Sequence, residues 1–225
     1  MFAAKKKITR TFPEFFDHLK SLKFRPPVCI DIGAAAGTPS IYQAFPDAFH
    51  IAFEPLKEFQ AQLEKSLAPY KHEIHQCALM DEAEEKTILR QPTNLFTSSL
   101  MHSHDDSHKN TVKVPVFTLD EKMAQYDISN RLLIKTDCQG SDLLVLKGGV
   151  ETLKKADVVI VETSLFRFWG PHQPDFAEIV LFMRQQKFVV YDILDGLLRP
   201  YDNALGQIDL VFARRNGKLR RTNQW

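Results

Sequence analysis

The stretch VCIDIGAAAGTPS, Val28 to Ser40, sets a single carboxylate, Asp31, at the end of an apolar run, then Gly33 and Gly37 with Ala35 between them. Thr38 or Ser40 can cap a helix that starts near Pro39. In an open α/β sheet such a turn lies at the carboxyl edge, where glycines let the backbone approach a ligand and the next helix offers free N–H groups. The GxGxxG dinucleotide fingerprint is not met and no GxxxxGK phosphate loop occurs, so a pyrophosphate is not the favoured guest. Asp31 suits the cationic end of a ligand instead. Glu54 ends the next strand-like run, 23 positions on, where a carboxylate can accept both hydroxyls of a ribose because neighbouring strand ends face one crevice. Together the two acids suit an adenosyl group with a charged amino-acid tail. The plainer alternative is a glycine turn that serves only strand-to-helix packing, with a solvated acid beside it.

A second pair of strand ends carries candidate bases. Asp137 closes an apolar run, and Lys135, two residues earlier, shares its strand face and can pair with it. Glu162 closes the following run and is the next candidate. Asp137 could instead cap the helix that starts near Ser141.

Three further clusters hold reactive side chains. The loop MHSHDDSH, with His102, His104 and His108, has donors for a metal but lacks the second half of a zinc spacing, so a solvated loop is expected and no metal. The segment RFWGPHQPDF places Trp169 and His172 after a strand, where they could form a lid over an acceptor or simply pack on the sheet. The tail RRNGKLRRTNQW carries Arg214, Arg215, Lys218, Arg220 and Arg221, which could hold a polyanion or stand solvated.

The elements that must position these groups alternate along the chain. Apolar runs at Val28–Ile32, His50–Phe53, Glu73–Leu79, Arg131–Thr136 and Asp157–Glu162 read as strands buried on both faces. Between most of them lie helical stripes: Leu56, Phe59, Leu63, Leu67; then Leu143, Leu146, Val150, Leu153; then Phe176, Ile179, Val180, Met183. This order predicts an α/β, doubly wound, mostly parallel sheet. Lys86–Arg90 and Val112–Thr118 read as an inserted hairpin after the third strand. Phe188–Leu194 and Ile208–Ala213 are joined by a linker with no helical stripe, so the last strand should run antiparallel to its neighbour.

Bulk properties fit one soluble domain. The chain has 225 residues, with 29 basic and 28 acidic side chains that nearly cancel, so no whole-protein field draws it to nucleic acid or membrane. No window approaches a membrane span, and the first residues lack a signal-peptide core, which makes a cytoplasmic location the expectation. Cys29, Cys77 and Cys138 lie far apart and read as reduced, buried thiols. The chain divides into a helical extension over 1–27, a main domain over 28–214 and a basic tail over 215–225.

From DIGAAAGTPS onward, FEP at Phe53–Pro55, CALMDEAEE, TSSL, VPVFTLDE, LLIKTDCQGSDLLVLKGG, VVIVETS and QIDLVF follow in order the pattern of FkbM-type S-adenosylmethionine-dependent methyltransferases, which this chain resembles from Val28 to Arg214. The resemblance implies a class I, Rossmann-like fold of seven strands with the last one reversed, and S-adenosylmethionine as cofactor. It puts Asp31, Gly33 and Gly37 at the methionine part, Glu54 at the ribose and Ala78 and Leu79 at the adenine, with Ala35, Ser40, Pro55 and Asp137 also at the cofactor. It implies an O-methyltransferase acting on a sugar, glycan or secondary metabolite; a hydroxyl acceptor must lose its proton, and Asp137 at its strand end is the candidate base or acceptor-orienting group. Two positions depart from the family pattern. Ala35 or Ala36 stands where a histidine is frequent, and Gln139 replaces an acid, which removes a candidate base.

The segment TDCQG lacks the Asn/Asp-Pro-Pro-aromatic run of enzymes that methylate base amino groups, so that substrate class is set aside. Two other classes stay open: an NAD-dependent oxidoreductase on a similar sheet, and a non-catalytic module that binds the cofactor. Pairing with a second copy of the chain also stays open.

Overall fold

The computed structural model describes residues 9–89, 95–100, 111–128, 131–222 and 224. In chain order the elements are α1 (Phe12–Ser21), β1 (Val28–Ile32), α2 (Pro39–Ala44), β2 (Phe49–Phe53), α3 (Lys57–Leu67), β3 (His72–His75), β4 (Ala78–Met80), β5 (Glu84–Leu89), β6 (Thr111–Thr118), α4 (Leu119–Met123), β7 (Leu132–Thr136), α5 (Asp142–Lys147), α6 (Val150–Lys155), β8 (Ala156–Ser164), α7 (Phe176–Gln185), β9 (Phe188–Leu198) and β10 (Leu205–Arg214). Seven strands form one sheet in the order β3-β2-β1-β7-β8-β10-β9. The pairs β1–β2, β2–β3, β1–β7 and β7–β8 are parallel, and β10 is antiparallel to both neighbours, as its helix-free linker predicts. Strand order reverses between β1 and β7, and a crevice opens at the carboxyl ends of such a switch point.

Every residue of β1 and β7 is buried, because helices cover both faces. Alternation sends Ile30, Ile32 and Ile134 into one core with Leu146, Leu153 and Met183, and Cys29 and Leu133 into the other with Phe15, Phe16 and Tyr42. Thr11 and Glu14 form a capping box at the start of α1. That helix buries Phe15, Phe16 and Leu19 completely in the second core, so α1 is built into the same body.

Two sequence expectations change. The run Glu73–Leu79 is two strands: β3 ends at His75 in the large sheet, and β4 pairs with β6 in a second, three-stranded sheet of order β4-β6-β5. The antiparallel β5–β6 hairpin is present, but as part of that sheet, which packs against Leu56 and Phe59 through Ala78, Met80, Val114 and Val116. The helical stripe over Leu143–Leu153 is likewise two helices, broken at Gly148 and Gly149. Space dictates the break: a Cβ on Gly148 would lie 2.1 Å from the Met80 carbonyl oxygen, and one on Gly149 would lie 2.7 Å from Leu119.

The Gly148 contact joins α5 to the strand that carries Ala78 and Leu79, and backbone cannot yield there as a side-chain tip would. Gly148→Ala should therefore destabilise the protein by about 1–3 kcal/mol, the usual cost of overpacking. Urea denaturation with an unchanged m-value checks this, and a midpoint equal to that of the parent would contradict it.

Candidate active site

The carboxyl ends of β1, β2 and β7 face a cleft with about 790 Å³ of empty space, part of it open to solvent. That lies in the size range of small-ligand sites, about 300–1,000 Å³. Its walls include Gly33 and Ala35 after β1, Glu54 and Pro55 after β2, Ala78 and Leu79 on β4, and Asp137, Gln139 and Ser141 after β7. Leu56, Phe59, Cys77, Leu95 and Phe96 add an apolar lining. The expected Gly33, Ala35, Glu54, Pro55, Ala78, Leu79 and Asp137 thus meet at one cleft, whereas Asp31, Gly37 and Ser40 are not among its lining residues.

Glu54 is 4% exposed, and both its oxygens are gripped by backbone. Oε2 accepts from the Ala35 N–H at 2.8 Å and Oε1 from the Leu56 N–H at 2.7 Å. Ala35 takes the left-handed φ of 46° to deliver that N–H, a conformation that costs a residue with a Cβ of order 1 kcal/mol. Burial pushes the Glu54 carboxyl up to about 7, against the opposing pull of the two N–H bonds. A carboxylate has about four acceptor sites, so each oxygen keeps capacity for one hydroxyl.

Asp31 is turned away from the cleft into the protein. Its Oδ2 accepts from the Tyr42 hydroxyl at 2.5 Å, its Oδ1 from the Thr38 hydroxyl at 3.2 Å, and Lys135 Nζ lies 3.9 Å from Oδ1. Thr38 occupies the N-cap position of α2, yet its hydroxyl is spent on Asp31 and makes no cap bond. Gly37, at φ 102°, serves packing: a Cβ there would lie 3.1 Å from both Ser66 and the Tyr42 ring. Ser40 sits within the first turn of α2.

The strongest electrostatic cluster surrounds Lys135, which is 5% exposed. Its Nζ bonds Asp137 Oδ2 at 3.1 Å. Burial alone would lower the lysine, but Asp137, Asp31 and Asp209 outweigh it and raise its pKa. Gln139, read from sequence only as a lost base, bridges two acids: its Nε2 donates to Asp137 Oδ1 at 2.9 Å and to Glu162 Oε2 at 3.2 Å. Glu162 does not line the cleft, and burial followed by Asp137, Asp142 and Asp209 pushes its carboxyl up to about 10. Asp137 does not cap α5. Asp142 instead holds the β7–α5 loop, accepting from the Thr136 hydroxyl at 2.6 Å and the Cys138 N–H at 3.0 Å.

Sequence reasoning missed Gln139, Ser141 and the apolar lining. The segment Leu95–Leu100 had a signal in TSSL, and its Ser99 hydroxyl bonds the Gln139 carbonyl at 2.7 Å. Trp169 lies against the Gly140 turn rather than in the cleft, since a Cβ on Gly140 would be 2.6 Å from its ring. The Trp169 indole Nε1 is buried and has no partner among the described residues. His172 is exposed. The loop 102–108 lies outside the described residues, and among those described no group of three or more His, Cys, Asp or Glu could hold a metal ion. The described part of the tail folds back at Lys218–Arg220, where Leu219 packs against the second core.

Glu162 offers a stability test that needs no ligand. Folded, it keeps its proton up to about 10, against an ordinary value of 4.5, so between those values the native state binds more protons than the unfolded chain and rising pH favours unfolding. Glu162→Gln removes this term and can still accept from Gln139. Its stability relative to the parent should rise from pH 5 to pH 9, by at most about 1.4 kcal/mol per unit. Parallel denaturation curves at the two pH values would contradict this.

The site residues fit the expected cofactor. Glu54 can take a diol, the lining around Cys77, Ala78, Leu79 and Phe96 can take a flat ring, and Asp137, Gln139 and Ser141 give the opposite wall polar groups. Among solved structures, precorrin-6y C5,15-methyltransferase from Geobacter metallireducens is similar at 10% identity, over 95% of this chain and 94% of that one, with a TM-score of 0.49. An rRNA methylase from Streptococcus thermophilus matches at 10% identity, over 94% of this chain and 99% of that one, with a TM-score of 0.48. Magnesium protoporphyrin IX methyltransferase from Synechocystis PCC 6803, with bound S-adenosylmethionine, matches at 12% identity, over 90% and 79%, with a TM-score of 0.45. No curated protein matches. The model of the methyltransferase FkbM domain matches residues 31–190, a span that runs from Asp31 through the cleft to β9. The chain belongs to the FkbM methyltransferase domain family and is an S-adenosylmethionine-dependent methyltransferase.

Proposed function

We propose that this methyltransferase is an O-methyltransferase acting on a hydroxyl of a sugar, glycan or secondary metabolite, with Asp137 taking the hydroxyl proton. The observation that carries the reading is the placement of Asp137: it lines the cleft, and its side chain is held by Lys135 on one oxygen and Gln139 on the other. When bound, S-adenosylmethionine supplies a methyl group on a sulfonium, which leaves as a neutral thioether. Asp137, whose side chain is 32% exposed, would accept the O–H proton of an acceptor hydroxyl presented in the cleft and could return it to water. Lys135 and Gln139 fix the carboxylate in one orientation, so positioning supplies much of the rate.

Aromatic side chains on this edge of the sheet, outside the cleft lining, support an acceptor with apolar faces. Beyond the ends of β8 and β9, on the same edge of the sheet, Phe166 and Phe168 stand near each other with ring centroids 5.8 Å apart, and Arg199 lies 3.7 Å over the Phe166 ring. Tyr201 is 89% exposed beside them, 5.5 Å from the same guanidinium. Sugars and polycyclic metabolites offer C–H faces for such rings. A cytoplasmic location belongs to the same reading, supported by Cys29, Cys77 and Cys138 being free; no helix among the described residues is long and apolar enough to cross a membrane.

Two substitutions separate binding from chemistry. Glu54→Ala should weaken S-adenosylhomocysteine binding by about 10- to 100-fold, the loss of one or two hydrogen bonds to a charged group. Asp137→Asn should still bind it, yet lower kcat/KM toward a hydroxyl acceptor by about 10²–10⁴. Calorimetry and methyl-transfer assays read the two effects. An Asp137→Asn enzyme as fast as the parent would remove the base from the mechanism.

A further inference from the structure

At the amino edge of the sheet, opposite the cleft, a second cavity with about 780 Å³ of empty space, part of it solvent, is lined by Lys23, Arg131, Arg214, Lys218 and Arg221, with Asp157 as the acid among its lining residues. Five cations face one carboxylate in a chain whose net charge is +1. This concentration is built, not scattered. Arg214 donates its Nε to the Ala156 carbonyl at 2.9 Å, also bonds the Leu153 carbonyl, and lies 4.8 Å from the Phe188 ring centroid, so its guanidinium is fixed. The turn at Gly217, where a Cβ would lie 2.8 Å from Arg214 Cβ, folds the tail back and brings Lys218 and Arg221 to the same cavity, with Leu219 packed against the second core.

Arg131 is the telling residue. It holds a left-handed φ of 86°, a costly conformation for a side-chain-bearing residue, and its buried Nε has no hydrogen-bond partner among the described residues. A buried guanidinium N–H without an acceptor is expensive, and strain of this kind collects where a ligand completes the structure. Lys23, Arg131, Lys218 and Arg221 show no ion pair among the described residues.

We propose that this cavity binds the terminal phosphate or diphosphate group of a small ligand, at a site separate from methyl transfer. A carboxylate carries one charge where the lining has an excess of four cations, whereas a terminal phosphate brings about two charges and three acceptor oxygens that suit guanidinium forks. A phosphodiester strand offers one charge and two free oxygens per linkage, a poorer match to guanidinium forks than a terminal group.

Titration of the full chain with inorganic pyrophosphate, followed by calorimetry and by thermal melting, tests the assignment. One saturable equivalent should bind and raise the melting temperature. Arg131→Gln and the exposed Lys218→Gln should each weaken binding about tenfold or more, while S-adenosylhomocysteine still binds both variants as it binds the parent. Absence of saturation by about 10 mM, above the millimolar Kd of a weak site, overturns the proposal. Pyrophosphate affinity in both variants equal to that of the parent also overturns it. So does a short single-stranded RNA that binds the parent far more tightly than pyrophosphate and is lost in both variants, since the surface would then belong to nucleic acid.

Discussion

Lys135 sits in the middle of a parallel sheet, 5% exposed, and an ammonium group can be buried there only because acids reach it from neighbouring β1 and from the loop after its own strand. Asp137 bonds it at 3.1 Å and Asp31 lies at 3.9 Å, so the lysine ties the loop after β7 to the end of β1, the two elements that form one side of the cleft. Removing one partner of such a buried pair costs about 3–5 kcal/mol, far more than a surface pair. The acids nonetheless outnumber the cation. Protons resolve the excess: burial and mutual repulsion push Glu162 up to about 10 and Asp209 to about 7, so these two meet the cluster with their charge reduced or absent. The carboxyl edge is thus an acidic network kept from self-repulsion by one lysine and by proton uptake.

The glycine turn is subordinate to this network and to Glu54. Gly33 must lack a side chain because a Cβ would lie 2.1 Å from the Asp137 carbonyl oxygen, so the β1 turn and the β7 loop touch backbone to backbone. Their contact is closed further by the Asp137 N–H bond to the Ile32 carbonyl at 3.0 Å. Ala35 then aims its N–H at Glu54, which links the turn after β1 to the end of β2. Three strand ends are locked together by backbone donors and carboxylates before any ligand enters. A preorganised pocket of this kind spends little binding energy on ordering itself.

Much of this was legible from residue order. The runs at β1, β2 and β7 were readable because burial on both faces leaves an uninterrupted apolar signature, and the reversal of β10 followed from a linker too short of helix to cross back. The site acids were readable as acids at strand ends. What was illegible depends on contacts that no local pattern encodes. The segment Glu73–Leu79 reads as one extended stretch with no glycine or proline in it, and nothing local marks the step at Gln76 and Cys77 from one sheet to the other. Asp31 has the right place for a ligand group, but Tyr42 and Thr38, 11 and 7 residues on, claim its oxygens from α2. Gln139 looked like a loss because an amide is no base. In three dimensions its two donors are what an over-supplied pair of acids needs. Gly148 and Gly149 did carry a signal, two glycines within a helical stripe, and the steric need for them became visible only with Met80 and Leu119 in place.

The near-zero net charge conceals a division along the strands. Acids gather at the carboxyl edge, where Asp31, Asp137, Glu162 and Asp209 interact, and cations gather at the amino edge, where Arg131, Arg214, Lys218 and Arg221 converge. These poles are separated by the length of the buried strands, and exposed charges farther apart than the Debye length, about 8 Å at physiological salt, barely feel one another. Each pole must therefore settle its own charge locally. The acidic one does so with Lys135 and bound protons, both internal to the fold. The basic one has Asp157 alone among its lining residues, and an arginine cannot shed its proton to relieve the excess, so relief there has to come from outside the chain.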